Sequence, residues 1–148
     1  MASIPQDLRP KAYASLELLL DVIYATRTLV QADLESIAIY LCVAEATMRP
    51  VLADPARVRA LSTTARAPEE WRGSITMLQV ADRLEIPRET VRRKVKQLIE
   101  RGLLYADDRG RIRSTPNFDN PAVAPAVDDV HDAVRRYRER LARYDIDC

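Results

Sequence analysis

The sequence has little glycine, few aromatic residues and almost no histidine or cysteine. Its 148 residues include three glycines, two cysteines, one histidine, one tryptophan and one phenylalanine. Sandwiches and barrels need many tight turns, for which glycine is the usual residue, so its scarcity favours helices. The two cysteines, Cys42 and Cys148, do not suggest a disulfide framework, and a reducing cytoplasm is the expected compartment.

Long apolar segments are also missing from the sequence. No apolar run approaches the roughly 20 residues that a membrane-spanning helix needs, and residues 1–10 lack a stretch of signal-peptide length. Hydrophobic residues make up 47% and charged residues 30%, which excludes a largely disordered chain. We therefore predict one mostly α-helical domain over residues 1–148, located in the cytoplasm and not in a membrane.

Two amphipathic helices and a connector are predicted in the first half of the chain, with the helices inside residues 10–52. The first helix carries apolar residues on one face: Leu16, Leu19, Leu20, Ile23 and Val30. Asp33 can cap the second helix, whose apolar stripe is Leu34, Ile37, Ala38, Leu41 and Met48. Residues 53–73 contain two prolines and little periodicity, so they are predicted to form a connector with one short helix at 55–61.

Residues 74–115 hold the most informative pattern in the sequence. Thr76 and Gln79 have the T-x-x-Q spacing of a capping box, which predicts the start of a helix. Pro87 cannot donate a backbone hydrogen bond and disfavours helix at the preceding residue, so the chain must turn near 85–87. A second helix is predicted to follow at once. Its inner face is Val91, Val95, Leu98 and Ile99.

Positive charge is concentrated in residues 88–113, although the net charge of the chain is only +1. This segment holds nine Lys and Arg against four Asp and Glu, whereas the segments on either side are net negative. The polar side chains of the second helix must face outward, where a recognition helix meets base edges and phosphates in the major groove. The predicted DNA contacts from this helix are Arg88, Thr90, Arg92, Arg93 and Lys96. A solvated helical face without a polyanionic partner is the alternative interpretation.

A basic hairpin is predicted directly after the second helix. Gly102 can adopt the positive φ that ends a helix. Leu104 and Ile112 are the expected inward positions of two short strands, joined by a turn at 108–110. Such a hairpin after a recognition helix is a wing, and its arginines can reach phosphates or the minor groove. These arginines are Arg109, Arg111 and Arg113.

The stretch VADRLEIPRETVRRKVKQLIERGLL, followed by DDRGRIRST, resembles the winged helix-turn-helix of bacterial transcriptional regulators. The resemblance covers residues 75–115, and the order of the surrounding helices is most similar to that of MarR-like regulators. It implies a homodimer, formed through N- and C-terminal helices, that binds palindromic double-stranded DNA. Glu85 departs from the pattern, because such turns commonly carry glycine there. Its backbone must then accept an unusual angle, or the turn must be slightly longer. Only one helix follows the hairpin, where the MarR-like pattern has two.

The C-terminal segment, residues 121–145, is predicted to form an association helix. Its apolar residues recur at the 3-4-3-4-3 spacing of a heptad seam. They are Val127, Val130, Val134, Tyr137, Leu141 and Tyr144. The seam can pack on the chain's own N-terminal helix or form a dimer interface, and these two possibilities are compatible. We predict a dimer, since two-fold symmetry lets two winged helices read half-sites one DNA turn apart.

No catalytic or metal-binding motif stands out in the sequence. His131 lies on the predicted C-terminal helix, where a lone histidine is usually a surface or interface residue. There is no G-x-G-x-x-G, Walker-type loop, H-E-x-x-H or paired-cysteine spacing. We therefore predict a non-enzymatic protein without metal or cofactor. It is a sequence-specific regulator of transcription or, alternatively, a winged-helix protein-interaction module in a DNA-associated complex. The five positive charges in 88–96 favour the regulator, whereas the sequence does not indicate an effector ligand.

Overall fold

The computed structural model describes residues 2–64 and 66–148 of the chain and is mostly helical. Its helices are α1 (Leu8–Val30), α2 (Leu34–Leu52), α3 (Pro55–Ala60), α4 (Met77–Leu84), α5 (Arg88–Glu100) and α6 (Val123–Ala142). A short 3-10 helix spans Glu69–Trp71, and one antiparallel sheet consists of β1 (Leu104–Ala106) and β2 (Ile112–Ser114). The prediction of a mostly α fold with a small β-hairpin is confirmed.

The described residues form two compact units. The terminal unit consists of residues 2–31 and Pro121–Cys148 and contains α1 and α6. The central unit is Ala32–Asn120 and contains the other four helices and the hairpin. The single domain over the whole chain stays a prediction.

In the terminal unit, α1 and α6 pack together through small side chains and ion pairs. Its buried residues include Ala14, Ala25, Ala126, Ala133, Val123 and Leu141. At the edge of this core, Arg140 Nη2 lies 2.5 Å from Glu17 Oε2, and Arg136 Nη2 lies 3.2 Å from Asp21 Oδ2. The α1 face that packs on α6 is therefore a row of alanines and acids, and it is not the face of Leu16, Leu19 and Leu20.

Helix α2 is the centre of the central unit. It packs against α3, α4, α5 and β2, and Ile39, Val43 and Thr47 on it are fully buried. Its predicted cap is confirmed, because the Asp33 carboxylate accepts a hydrogen bond from the Ser36 N–H at 2.8 Å. The other main core residues are Val80, Val91, Val95, Leu98, Leu104 and Ile112. Full burial of each such side chain contributes about 1.5–3 kcal/mol to stability.

The connector ends in a close contact with α2 and a short addition to the sheet. Gly73 donates its N–H to the Thr47 carbonyl at 2.8 Å, and a Cβ at Gly73 would lie 2.3 Å from the Ala46 oxygen. Only glycine fits there. Two residues later, Ile75 exchanges backbone hydrogen bonds of 3.0 and 2.7 Å with Ile112 of β2. The connector is thereby fixed to both the long helix and the hairpin.

Candidate nucleic-acid interface

Helix α4 begins at a capping box. The Thr76 hydroxyl accepts a hydrogen bond from the Gln79 N–H at 3.1 Å, and Gln79 Oε1 accepts one from the Thr76 N–H at 3.0 Å. These donors belong to the first turn, where N–H groups have no partner inside the helix. Ile75 and Val80, on either side of the cap, are both buried. The helix start predicted from T-x-x-Q is confirmed.

The turn between α4 and α5 consists of three residues and depends on Glu85. Glu85 has φ 55° and ψ 38°, and its N–H bonds to the Ala81 carbonyl. Of the two alternatives expected from the missing glycine, the unusual backbone angle is thus the correct one, and the structure shows that it is left-handed. Pro87, with φ −55°, then occupies the N-cap position of α5 without a side-chain hydrogen bond. Because the turn is this short, α5 starts immediately and packs against α4.

Helix α5 separates an apolar inner face from a charged outer face. Val91, Val95 and Leu98 are at most 2% exposed, as predicted, whereas Ile99, also predicted to face inward, is half-buried. Six of the seven exposed residues form two adjacent rows at i, i+4 and i+8, and the seventh, Glu100, continues the first row at i+12. One row is Arg88, Arg92 and Lys96, and the other is Glu89, Arg93 and Gln97. Each row extends about 12 Å along the helix. Thr90 is half-buried beside them.

The cations on the outer face differ in how they are paired. Arg92 forms a bidentate ion pair with Glu89 on the same face, and this guanidinium lowers the pKa of the Glu89 carboxyl. Within residues 2–64 and 66–148, Arg88, Arg93 and Lys96 have no carboxylate within ion-pair distance. Three side chains are thus ready for a phosphate or base, whereas Arg92 would first have to leave Glu89.

Lys94 is the basic residue of α5 that points inward. Its side chain is 8% exposed, and its Nζ lies 2.7 Å from Asp33 Oδ2 and 3.6 Å from Glu35 Oε1. The Lys94 hydrogen bond lowers the pKa of Asp33 to about 2. The five positive charges counted in 88–96 therefore include one that joins α5 to α2. The sequence contained this signal, since Lys94 lies three residues after Val91 and shares its face.

The hairpin turn is organised by Asp107. Its Oδ1 accepts hydrogen bonds from the N–H groups of Arg109 and Arg111, both at 3.0 Å. Gly110 has φ +74°, a conformation that suits glycine, and its N–H bonds to the Asp107 carbonyl at 2.9 Å. The predicted turn at 108–110 is confirmed. It leaves the Arg109 side chain exposed at the tip.

The other two hairpin arginines are held by the protein itself. Arg111 donates from Nε to the Ser74 hydroxyl at 2.7 Å and from Nη2 to the Ser74 carbonyl at 3.2 Å. The Arg113 side chain is 18% exposed, and its Nε lies 3.2 Å from Asp107 Oδ2. Arg109 is thus the predicted hairpin contact that is placed to meet a partner, while Arg111 and Arg113 hold the hairpin in position.

A cluster that the sequence did not reveal attaches the connector to this hairpin. Arg72 donates to Tyr105 Oη at 3.1 Å and to the Ser114 carbonyl, and Tyr105 in turn donates to the Glu69 carboxylate. Burial and this bond to Glu69 raise the pKa of Tyr105. Arg113 adds a bond of 2.9 Å to the Arg72 carbonyl. Nothing in the local pattern of 69–72 predicts this cluster, because its partners are more than 30 residues away.

The predicted association seam on α6 does not lie on a single surface. Val127, Val134 and Tyr144 are exposed, whereas Val130 and Tyr137 are half-buried. Leu141 is 2% exposed and belongs to the core of the terminal unit. Because Leu141 is buried inside the terminal unit, its side chain cannot contact another subunit. The seam residues that are buried or half-buried, Leu141, Val130 and Tyr137, therefore face the interior of the terminal unit.

Helix α1 carries a larger exposed apolar surface, which we call the leucine face. It consists of Tyr13, Leu16, Leu19, Leu20 and Tyr24, and each of these side chains is at least 52% exposed. The buried side of α1 carries the small Ala14 and Ala25, so the larger apolar side chains of this helix lie on its exposed side. An exposed apolar surface of this kind is typical of an interaction site.

Comparison with family models, with characterised proteins and with solved structures returns no match for this chain. Of the helices in residues 2–64 and 66–148, none has the length and apolar character to cross a membrane. The described residues also contain no group of three or more His, Cys, Asp or Glu side chains suited to a metal ion.

Proposed function

We propose that this chain is a cytoplasmic, sequence-specific DNA-binding regulator of transcription, with binding rather than catalysis as its activity. The observation that carries the proposal is the outer face of α5. Arg88, Arg93 and Lys96 are exposed there without a carboxylate partner among the described residues, on a helix whose other side is core. A helix presented in this way suits the major groove, where arginine and lysine bind guanine edges and phosphates.

The surrounding elements support a winged helix-turn-helix in the central unit. Helix α4 and the three-residue turn support α5 from behind, and the hairpin that follows α5 packs against it. The backbone bridge from Ile75 to Ile112 gives that hairpin a third extended segment. In this arrangement α5 is the recognition helix, and the exposed Arg109 at the hairpin tip contacts phosphate or the minor groove.

The proposal includes a homodimer, and the leucine face of α1 supports it. A helix pair whose core is mostly alanine, and whose helix α1 exposes the three leucines of the leucine face, is the reverse of what water favours for an isolated pair. A second copy of the chain would cover the leucine face by two-fold symmetry and supply the second reading helix for a palindromic site. The exposed Val127 and Val134 of α6, and Tyr144 just after the end of α6, can contribute to the same interface.

The proposal is tested by salt-dependent binding to duplex DNA. A random duplex library should yield an enriched sequence, and fluorescence anisotropy then measures Kd for this duplex and for a scrambled one. The double variant R93A/K96A should weaken binding to the selected duplex by at least tenfold and reduce the slope of log K against log salt. Each lost base contact contributes about 1–3 kcal/mol, and each lost phosphate contact reduces the slope by about one.

The matched control is R138A/R143A, which removes two exposed arginines from the terminal unit and changes the net charge equally. DNA binding should be unchanged in this control. Equal weakening in both double variants would mean that net charge, and not the α5 face, drives binding. An absence of DNA binding by a folded wild-type protein would refute the proposal and favour the protein-interaction module.

A further inference from the structure

The central unit contains a cavity of about 310 Å³ that has no part in the proposed DNA contacts. It lies between the C-terminal half of α2, helix α3 and the residues that follow β2. Its apolar wall is formed by Met48, Val51, Leu52, Val58, Leu61 and Phe118. The volume falls within the range of small-molecule sites, which is about 300–1,000 Å³.

The apolar side chains around this cavity are unusually exposed. Among the described residues of the central unit, the large apolar side chains that are exposed are Leu34, Leu41, Met48, Leu52, Val58, Leu78 and Phe118. Four of these seven line the one cavity, and Leu52 and Phe118 are 58% and 59% exposed. Chance exposure would scatter such residues over the surface. Their convergence on a concave site indicates an apolar occupant.

The polar groups on the wall determine what kind of occupant fits. Arg72 is the only charged residue among the described lining residues, and its guanidinium is engaged by Tyr105, Glu69 and the Ser114 carbonyl. An anion would therefore find no free cation here, and burying it unpaired would be costly. Hydroxyl groups are available instead. Ser62, Thr64 and Thr115 line the cavity, and their side chains make no hydrogen bond within the described residues.

We propose that this cavity binds a small, uncharged and mainly aromatic or aliphatic molecule that carries one or two hydrogen-bonding groups. The molecule would fill the apolar wall and bond to one or more of the three hydroxyls. It would also touch the base of the hairpin, because Ser114 of β2 lines the cavity and donates its N–H to Thr47 Oγ1 at 3.0 Å. Binding to the cavity does not depend on whether the protein binds DNA.

The probe for this proposal is N-phenyl-1-naphthylamine, a neutral aromatic amine whose fluorescence rises in apolar sites. Its sulfonated analogue, 8-anilino-1-naphthalenesulfonate, has the same rings with a negative charge. Titration of the full chain should show saturable binding of the neutral amine at micromolar concentration, and at least tenfold weaker binding of the sulfonate. Backbone NMR shifts on titration should be concentrated in residues 47–62 and 114–118.

Two leucines at opposite ends of α2 provide matched variants. Leu52 lines the cavity and is 58% exposed, whereas Leu34 lies outside it and is 56% exposed, so neither truncation should unfold the chain. Leu52→Ala should weaken binding of the neutral amine at least threefold, since three carbons of contact are lost, whereas Leu34→Ala should leave it unchanged. Phe118→Ala should act as Leu52→Ala does.

Three results would overturn the proposal. They are no saturable binding of the amine at high micromolar concentration, equal weakening by Leu34→Ala and Leu52→Ala, and sulfonate binding as tight as that of the amine. Equal weakening by the two leucine variants would mean that the dye binds apolar surface in general and not this cavity. Equally tight binding of the sulfonate would mean that the ligand need not be uncharged.

Discussion

Glu85 occupies a backbone conformation that glycine adopts more readily. Its φ of 55° is left-handed, and this conformation costs a residue with a Cβ about 1–2 kcal/mol. The Glu85 side chain is exposed and forms no ion pair within the described residues. The conformation is therefore maintained by the turn, which must be short for α5 to pack on α4.

Replacing Glu85 with glycine is expected to stabilise the protein. The free energy of unfolding should rise by about 0.5–1 kcal/mol, because relief of the left-handed strain exceeds the extra entropy of the unfolded chain. Chemical denaturation followed by circular dichroism measures this change. The control is Asp82→Gly, an exposed position in the ordinary helical part of α4, which should lose about 0.5–1 kcal/mol. Destabilisation by both glycines would show that Glu85 is not strained.

At the scale of elements, one ion pair joins the N-cap residue of α2 to helix α5. Lys94 Nζ donates to Asp33 Oδ2 at 2.7 Å, while Asp33 Oδ1 caps α2 through the Ser36 N–H. The same carboxylate thus fixes the start of one helix and the position of the other. The Asp33 side chain is 61% exposed, so solvent screens the ion pair and reduces its contribution to the free energy of unfolding.

Asp33→Asn separates these two roles, because asparagine caps a helix as well as aspartate does. The variant should lose about 1 kcal/mol of stability at pH 7, because the one amide oxygen that keeps the cap leaves an NH2 donor, and not an acceptor, facing buried Lys94. The folded pKa of Asp33, about 2, lies below its ordinary 3.8, so this stabilisation is complete above about pH 4 and disappears as the pH falls towards 2. Urea denaturation at pH 7 and at low pH measures the difference between variant and wild type. If the difference in unfolding free energy between Asp33→Asn and wild type is the same at both pH values, the charge pair between Asp33 and Lys94 does not contribute to stability.

Local signals predicted the elements around the candidate site better than they predicted the partners of those elements. Capping at Asp33 and Thr76, the turn before Pro87 and the inward positions of α5 follow from spacing alone, because each involves residues within one or two helical turns. The Arg72 and Tyr105 contact joins residues 33 positions apart and has no such signature. The helical periodicity predicted that the leucines of α1 share one face of the helix. It does not predict whether that face packs inside the unit, contacts a partner or is exposed to solvent.

At the scale of the whole molecule, the leucine face of α1 is the feature that a monomer leaves unexplained. Leu16, Leu19 and Leu20 are 62%, 59% and 52% exposed on a helix of 23 residues. Burying each fully would contribute about 1.5–3 kcal/mol, whereas the alanines inside the unit contribute less. A two-fold partner would recover this energy without any change in the α1 and α6 core. The wild-type mass in solution should then be twice the 16.8 kDa of the chain.

The double variant L16D/L20D should convert this dimer to a folded monomer, because carboxylates buried without partners in an apolar interface are strongly unfavourable. Light scattering at micromolar concentration should give the mass of one chain, and circular dichroism should show an unchanged helix content, since both positions are exposed in the unit. Affinity for a two-half-site duplex should fall by at least tenfold, while binding to a single half-site should be unchanged. The control is L34D/L41D, which adds the same charge at exposed leucines of the central unit and should remain dimeric. If the wild type is already monomeric at high micromolar concentration, or if both double variants dissociate alike, the leucine face is not the dimer interface and its exposure needs another partner.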